Sequence, residues 1–180
     1  MPSIAAAMNT TLSTSKLLAA LQHMQALPAR APAHARMAAH HELARAYVDE
    51  GALASAETHL ERALAASLAV PSVDAQVDLL CDLGERTAQA AEQAERATQG
   101  AGRHATQRAR QHAAAAARLA SHVSDPAWEV TVLLRISDIF NRLGDHDDAS
   151  ALQTRALRLM SRQSNAFWGK PAAPSAGRVG

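Results

Sequence analysis

Two stretches of the chain, 93 residues apart, carry the same skeleton. The first reads Leu43, Ala44, Tyr47, Gly51, Ala56, Leu60 and Ala63. The second reads Ile136, Ser137, Phe140, Gly144, Ala149, Leu152 one place early, and Ala156. Each predicts a helix, a turn and a second helix, since Gly readily adopts the left-handed conformation that closes a helix. Small residues recur where the two helices must touch. A motif used twice in this way narrows the fold to units that stack, each on its neighbours. Such stacks present surfaces for holding other molecules rather than machinery for chemistry.

The composition points the same way. Alanine supplies 44 of the 180 residues, whereas Phe, Trp and Tyr supply five together. A compact globule centres on bulky side chains; an Ala/Leu chain suits thin layers of closely approaching helices. No run has strand character, and Pro and Gly fall at helix boundaries, so the class is all-α. The net charge of +1 argues against a chain built mainly for nucleic acid, which carries a basic excess. Cys81 is the single cysteine and cannot form an internal disulfide. Met1 to Lys16 lacks the basic start and apolar core of a secretion signal, and no apolar run is long enough to span a membrane. The expectation is a soluble, cytoplasmic protein.

Along the chain, residues 1–12 are small and polar and are expected to be disordered. A leading helix from Ser13 or Ser15 carries Leu17, Leu18, Leu21, Met24 and Leu27 on one stripe, until Pro28 and Pro32 break it. Three hairpins follow, at about 35–69, 73–123 and 126–162, giving about seven helices in a domain spanning 13–162. Pro71-Ser72 reads as a stop followed by a cap, and Asp125-Pro126 as a capping carboxylate with Pro at the first helical position. The tail 163–180 is rich in Ser, Ala, Pro and Gly and is expected to be disordered, with Phe167 and Trp168 available to dock in a groove of this or a neighbouring chain.

With these residues in place, the chain resembles the tetratricopeptide repeat (TPR) family, whose 34-residue unit is a helical hairpin. A unit beginning at Met37 puts Leu43, Ala44, Tyr47, Gly51, Ala56, Leu60 and Ala63 at the family's signature positions. A unit beginning at Val130 does the same for Leu133, Ile136, Ser137, Phe140, Gly144, Ala149 and Ala156, with Gln153 departing from the pattern. The middle hairpin matches only through Leu80 and Leu83-Gly84, and its helices are longer than the standard unit. The resemblance implies a right-handed α-solenoid whose first helices line a concave groove. Carried over to this chain, the groove positions are Ala38, His41, Arg45, Val48 and Asp49 in the first unit. In the last they are Thr131, Leu134, Asp138, Asn141 and Arg142, and less securely Asp78, Cys81 and Glu85 in the middle. The Lys and Asn of the family's chaperone-tail clamp are missing. The mixed groove, with His41, Arg45, Asp49, Asp138, Asn141 and Arg142, suits an extended peptide or a helix; the alternative is a merely solvated face.

Sites for chemistry are sparse. Of nine histidines, His40 and His41 are adjacent and point apart, while His104, His112 and His122 are too widely spaced to chelate, so no metal or cofactor is expected. Arg103, Arg108, Arg110 and Arg118 make a basic helix, but Asp74, Asp78, Asp82, Glu85, Glu92 and Glu95 on its hairpin partner suggest mutual compensation rather than a phosphate surface. Asp145, Asp147 and Asp148 around His146 suit a helix N-terminus better than a calcium loop. Cys81 has no histidine partner in sequence that would make it a nucleophile, and no phosphate loop or nucleophile elbow is present. The reading is therefore a non-enzymatic protein–protein interaction module, with an adaptor or regulatory role. A small-molecule sensor built on the longer middle helices is the competing class, with a nucleic-acid-binding helical protein behind it. A homodimer is one way to cover exposed ends of the stack.

Overall fold

The computed structural model describes residues 4–97 and 102–168. Residues 98–101, inside the hairpin expected at about 73–123, and 169–180 of the expected tail lie outside the described residues. Those described form seven α-helices and no strand: α1 (Ile4–Ala26), α2 (Ala33–Asp49), α3 (Leu53–Ser67), α4 (Val73–Ala97), α5 (Arg103–Leu119), α6 (Pro126–Arg142) and α7 (His146–Trp168). A single 3-10 turn, Ala120–His122, follows α5. Two boundaries move. α1 begins at Ile4, well before the expected Ser13, within a segment opened by the strong helix formers Ala5-Ala6-Ala7. α7 runs past 162 to Trp168, through the first residues of the tail expected to be disordered, because nothing before Gly169 breaks it.

The other boundaries follow local chemistry. Ser72 Oγ accepts the Ala75 amide at 3.2 Å and so caps α4. Asp125 Oδ1 accepts the Ala127 amide at 2.9 Å, with Pro126 opening α6. Gly51 and Gly144 have φ of 75° and 80°, a conformation that costs any other L-residue about 1 kcal/mol or more. Gly51 N–H donates to Val48 O and Ala52 N–H to Tyr47 O, both at 2.9 Å. Gly144 N–H donates to Asn141 O at 3.1 Å and Asp145 N–H to Phe140 O at 2.9 Å. These donors and acceptors are again 93 residues apart, so the sequence repeat is realised bond by bond in the backbone.

Packing is between neighbours. Helices associate most extensively as α2 with α3, α4 with α5, and α6 with α7; α1 packs on α2, α3 on α4, α5 on α6, and α4 also on α6. Ala44, Ala56, Ala63, Ala149 and Ala156 are buried, as the two skeletons require. α4 and α5 approach through Ala88, Ala109, Ala113 and Ala116, all fully buried. Gly84 brings α4 against α6 so closely that an added Cβ would stand 2.9 Å from Ile139 Cδ1. The apolar core is uneven. One large cluster spans α4 to α7 through Val77, Leu80, Ala113, Ile136, Phe140 and Ala156. Two small ones serve the N-terminal helices: Ala44, Leu60, Ala63, Leu79 and Leu83 between α2, α3 and α4, and Ala20, Leu43 and Ala46 between α1 and α2.

Candidate functional site

The acidic stripe of α4 recurs at i, i+4 and i+7 through Asp78, Asp82 and Glu85, so the three carboxylates share one helix face. The sequence led us to expect compensation by the arginines of α5. The structure corrects this. The small residues of α4 face α5, which turns Asp78, Asp82 and Glu85 away from that partner and toward α2 and α6. Arg135, on α6, donates to all three: Nη1 to Asp78 Oδ1 at 2.8 Å, Nη2 to Asp82 Oδ1 at 2.6 Å, and Nε to Glu85 Oε1 at 2.8 Å. From α2, His41 Nε2 lies 2.7 Å from Asp82 Oδ2, and Arg45 Nη2 lies 3.6 Å from Asp78 Oδ2. Further along, Arg142 Nε donates to Glu92 Oε1 at 2.8 Å. α4 is thus bridged on one face by α2 and by α6.

Arg108 and Arg110 of α5 serve elsewhere. Arg108 reaches Glu57 of α3 at 2.5 Å, and Arg110 makes a bidentate pair with Asp145 at 2.6 and 2.8 Å. Arg155 of α7 pairs with Glu129 of α6.

Burial works against the charge on Asp82, but the hydrogen bonds from His41 and Arg135 more than offset it and hold its carboxyl below the ordinary range. Arg135 resists burial through the same carboxylates, Glu85 first, and its pKa is raised. Cys81 lies beneath the network, fully buried, and desolvation pushes its thiol up to about 12, which leaves it without thiolate character at neutral pH.

Of the groove residues expected from sequence, His41, Arg45 and Arg142 join this face of α4. Asp49 is tied instead to Lys16 of α1 at 2.9 Å. Asp138 and Asn141 are exposed on α6; Asn141 Oδ1 lies 3.3 Å from His146 Nδ1. A cleft of about 820 Å³ opens between α1, α2 and α4. Its floor is apolar, with Ala20, Ala44 and Leu60, and its walls carry His41, Arg45, Asp49 and Asp82.

Arg135 escaped the sequence reading, and Asp82 was assigned the wrong partner. The signal for Arg135 was present: an arginine inside the apolar run Val130–Ile136 needs anions, and Asp78, Asp82 and Glu85 supply them at helical spacing. A second feature also went unseen. His40 Nδ1 and His59 Nδ1 face each other at 3.0 Å across α2 and α3, and Tyr47 stacks on His59 with ring centroids 5.4 Å apart. Desolvation lowers the pKa of both histidines; His59 further opposes the charge on His40, and Arg62 opposes it at both.

No family model, curated protein or solved structure matches this chain. No helix among the described residues is long and apolar enough to cross a membrane.

Proposed function

We propose that the chain is a protein–protein interaction module of tetratricopeptide-like architecture, a right-handed α-solenoid that holds a partner peptide or helix along the face formed by α2, α4 and α6. Its role would be that of an adaptor or regulator. The observation that carries the reading is the 820 Å³ cleft beside that face, apolar below and charged along its walls, with the sequence-derived groove residues His41, Arg45 and Asp49 among its lining. Asp78, Asp82, Glu85 and Glu92 are already paired from within the chain, so complementary shape and apolar contact supply most of the affinity, and charge supplies register.

Ala38 is exposed at the edge of the cleft. Ala38→Trp fills the space without entering the core. Proteins captured from source-cell lysate by the wild type and lost by a folded Ala38→Trp variant would establish the cleft as the partner site. Capture of the same set by both would end the groove reading.

The same cleft is large enough for a small organic ligand, which sustains the sensor as a second reading. It lies between α1, α2 and α4, not between α4 and α5, whose Ala-lined contact is closed. Native mass spectrometry of the purified chain would detect such a ligand directly. The basic residues of α5 give little support to nucleic acid, since Arg108 and Arg110 are committed to Glu57 and Asp145.

A further inference from the structure

We propose that His41, Asp78 and Asp82 form a binding site for a divalent transition-metal cation of the zinc class, with Arg135 positioning the two carboxylates. A ring nitrogen of His41 and one carboxylate oxygen from each aspartate lie within 4.8 Å of one another. The side chains are 18%, 25% and 17% exposed for His41, Asp78 and Asp82, sheltered yet reachable from solvent. His41 and Asp82 also line the cleft between α1, α2 and α4, which supplies an entry path.

The donor set selects the ion. Calcium and magnesium favour all-oxygen shells, whereas one imidazole with two carboxylates suits zinc, cobalt or nickel, with water completing the coordination. Two ligands about 2.0–2.1 Å from a tetrahedral ion sit roughly 3.3 Å apart. The cation would therefore widen the 2.7 Å separation of His41 Nε2 from Asp82 Oδ2 and draw Asp78 in. Arg135 already holds Oδ1 of both aspartates, leaving Oδ2 of each for the ion. That is the pattern of an outer-shell partner that orients first-shell ligands.

The cation must compete with other positive groups. Arg45 stands 3.6 Å from Asp78 Oδ2, but its side chain is 66% exposed and held by no second partner, so it can swing into solvent. Arg86 pairs with Glu85 at 3.6 Å and donates to Gln89, away from the two aspartates. With Arg45 displaced, Asp78, Asp82 and Glu85 outnumber Arg135 and Arg86 by one, so a net negative charge remains to attract a dication. Spacing within the sequence could not show this site, because one ligand comes from α2 and two from α4.

The test is calorimetric titration of the full chain with zinc, paired with cobalt(II) absorption to report the ligand field. One equivalent should bind in the micromolar range or tighter. His41→Gln should weaken it by about tenfold or more, since a first-shell ligand is lost. Arg45→Ala should tighten it several-fold by removing the competing cation, a response that purely structural roles for these residues would not give. His40→Gln should leave it unchanged, which separates this site from the neighbouring His40–His59 pair. Absence of binding at millimolar zinc would overturn the proposal. So would full affinity in His41→Gln, or loss of affinity in Arg45→Ala. His41→Gln leaves all three carboxylates on Arg135, so the folded state survives to give an answer.

Discussion

The α2/α3 and α6/α7 pairs are built on one backbone plan and held by different neighbours. Their Gly turns make the same hydrogen bonds, and Leu43, Ala56 and Ala63 are buried like Ile136, Ala149 and Ala156. Yet Phe140 joins the large core cluster with Ile136 and Ile139, whereas its counterpart Tyr47 stacks on His59 beside His40. The skeleton sets the geometry of a hairpin; what surrounds it sets its stability. The C-terminal pair shares a core with α4 and α5, while the N-terminal pair rests on two small clusters and polar contacts.

The comparison is broken most forcefully in the core. Leu133→Ala should cost about 2–5 kcal/mol and lower the denaturant midpoint for the whole chain. Leu43→Ala removes a similar side chain from a smaller cluster, so hydrogen exchange should show its opening confined to α1–α3. Equal, global loss in both would show that the two pairs are equally coupled to the rest.

Next comes the bridge between α4 and α6. Arg135→Ala leaves three half-buried carboxylates facing one another and should cost about 3 kcal/mol in thermal or chemical unfolding. Arg135→Lys should recover only part, since an ammonium cannot reproduce the planar fork that reaches Asp78, Asp82 and Glu85 together. Full recovery would mean that charge alone is needed.

The paired turns offer a smaller and sharper test. Gly51→Ala and Gly144→Ala should each cost about 1 kcal/mol, because both sit at positive φ. No atom lies within 4 Å of a Cβ added at either, so conformation alone sets the cost, and unequal values would show that the two turns are not equivalent.

The skeletons also differ at Ala44 and Ser137, both buried. The Ser137 hydroxyl has no hydrogen-bond partner, so Ser137→Ala should be neutral or stabilising by up to about 1 kcal/mol.

The last effect depends on pH. The folded pKa values of His40 and His59 lie below the ordinary 6.5, so the unfolded chain binds these protons first. Their contribution is unaffected above about pH 6.5 and turns against folding as pH falls from there through the lowered folded values. Exchange protection in α2 and α3 should therefore weaken on acidification before that of α6 and α7. His112 of α5 is lowered by desolvation in the same direction, so a His112→Gln variant should retain the N-terminal response if the His40–His59 pair is its source.

Most of the secondary structure was legible because its signals are local. Ser72, Asp125 and Pro126, with Gly51 and Gly144, mark boundaries that the structure keeps to within a residue or two. The site was only half legible. Helical periodicity put Asp78, Asp82 and Glu85 on one face, but not which neighbour that face would meet. Charge summed over α4 and α5 pointed to the wrong partner, because net charge ignores that their contact is made by Ala88, Ala109 and Ala113. Arg135 could be found only by asking what an arginine does inside an apolar run.

The grip of Arg135 on α4 also acts as an index. Sliding α6 by one turn, about 5.4 Å, would offer the guanidinium Asp82, Arg86 and Gln89 in one direction or Asp74, Asp78 and Cys81 in the other. The first trades two carboxylates for a cation and an amide; the second gives up one carboxylate for a thiol. The same slide would bring Arg142 from Glu92 to Arg96 or to Ala88. The close fit of Ile139 over Gly84 opposes the same slide by shape, and the ion pairs add an opposition by charge. The charge pattern of α4 therefore works as a vernier scale on which only one alignment of its neighbour reads true.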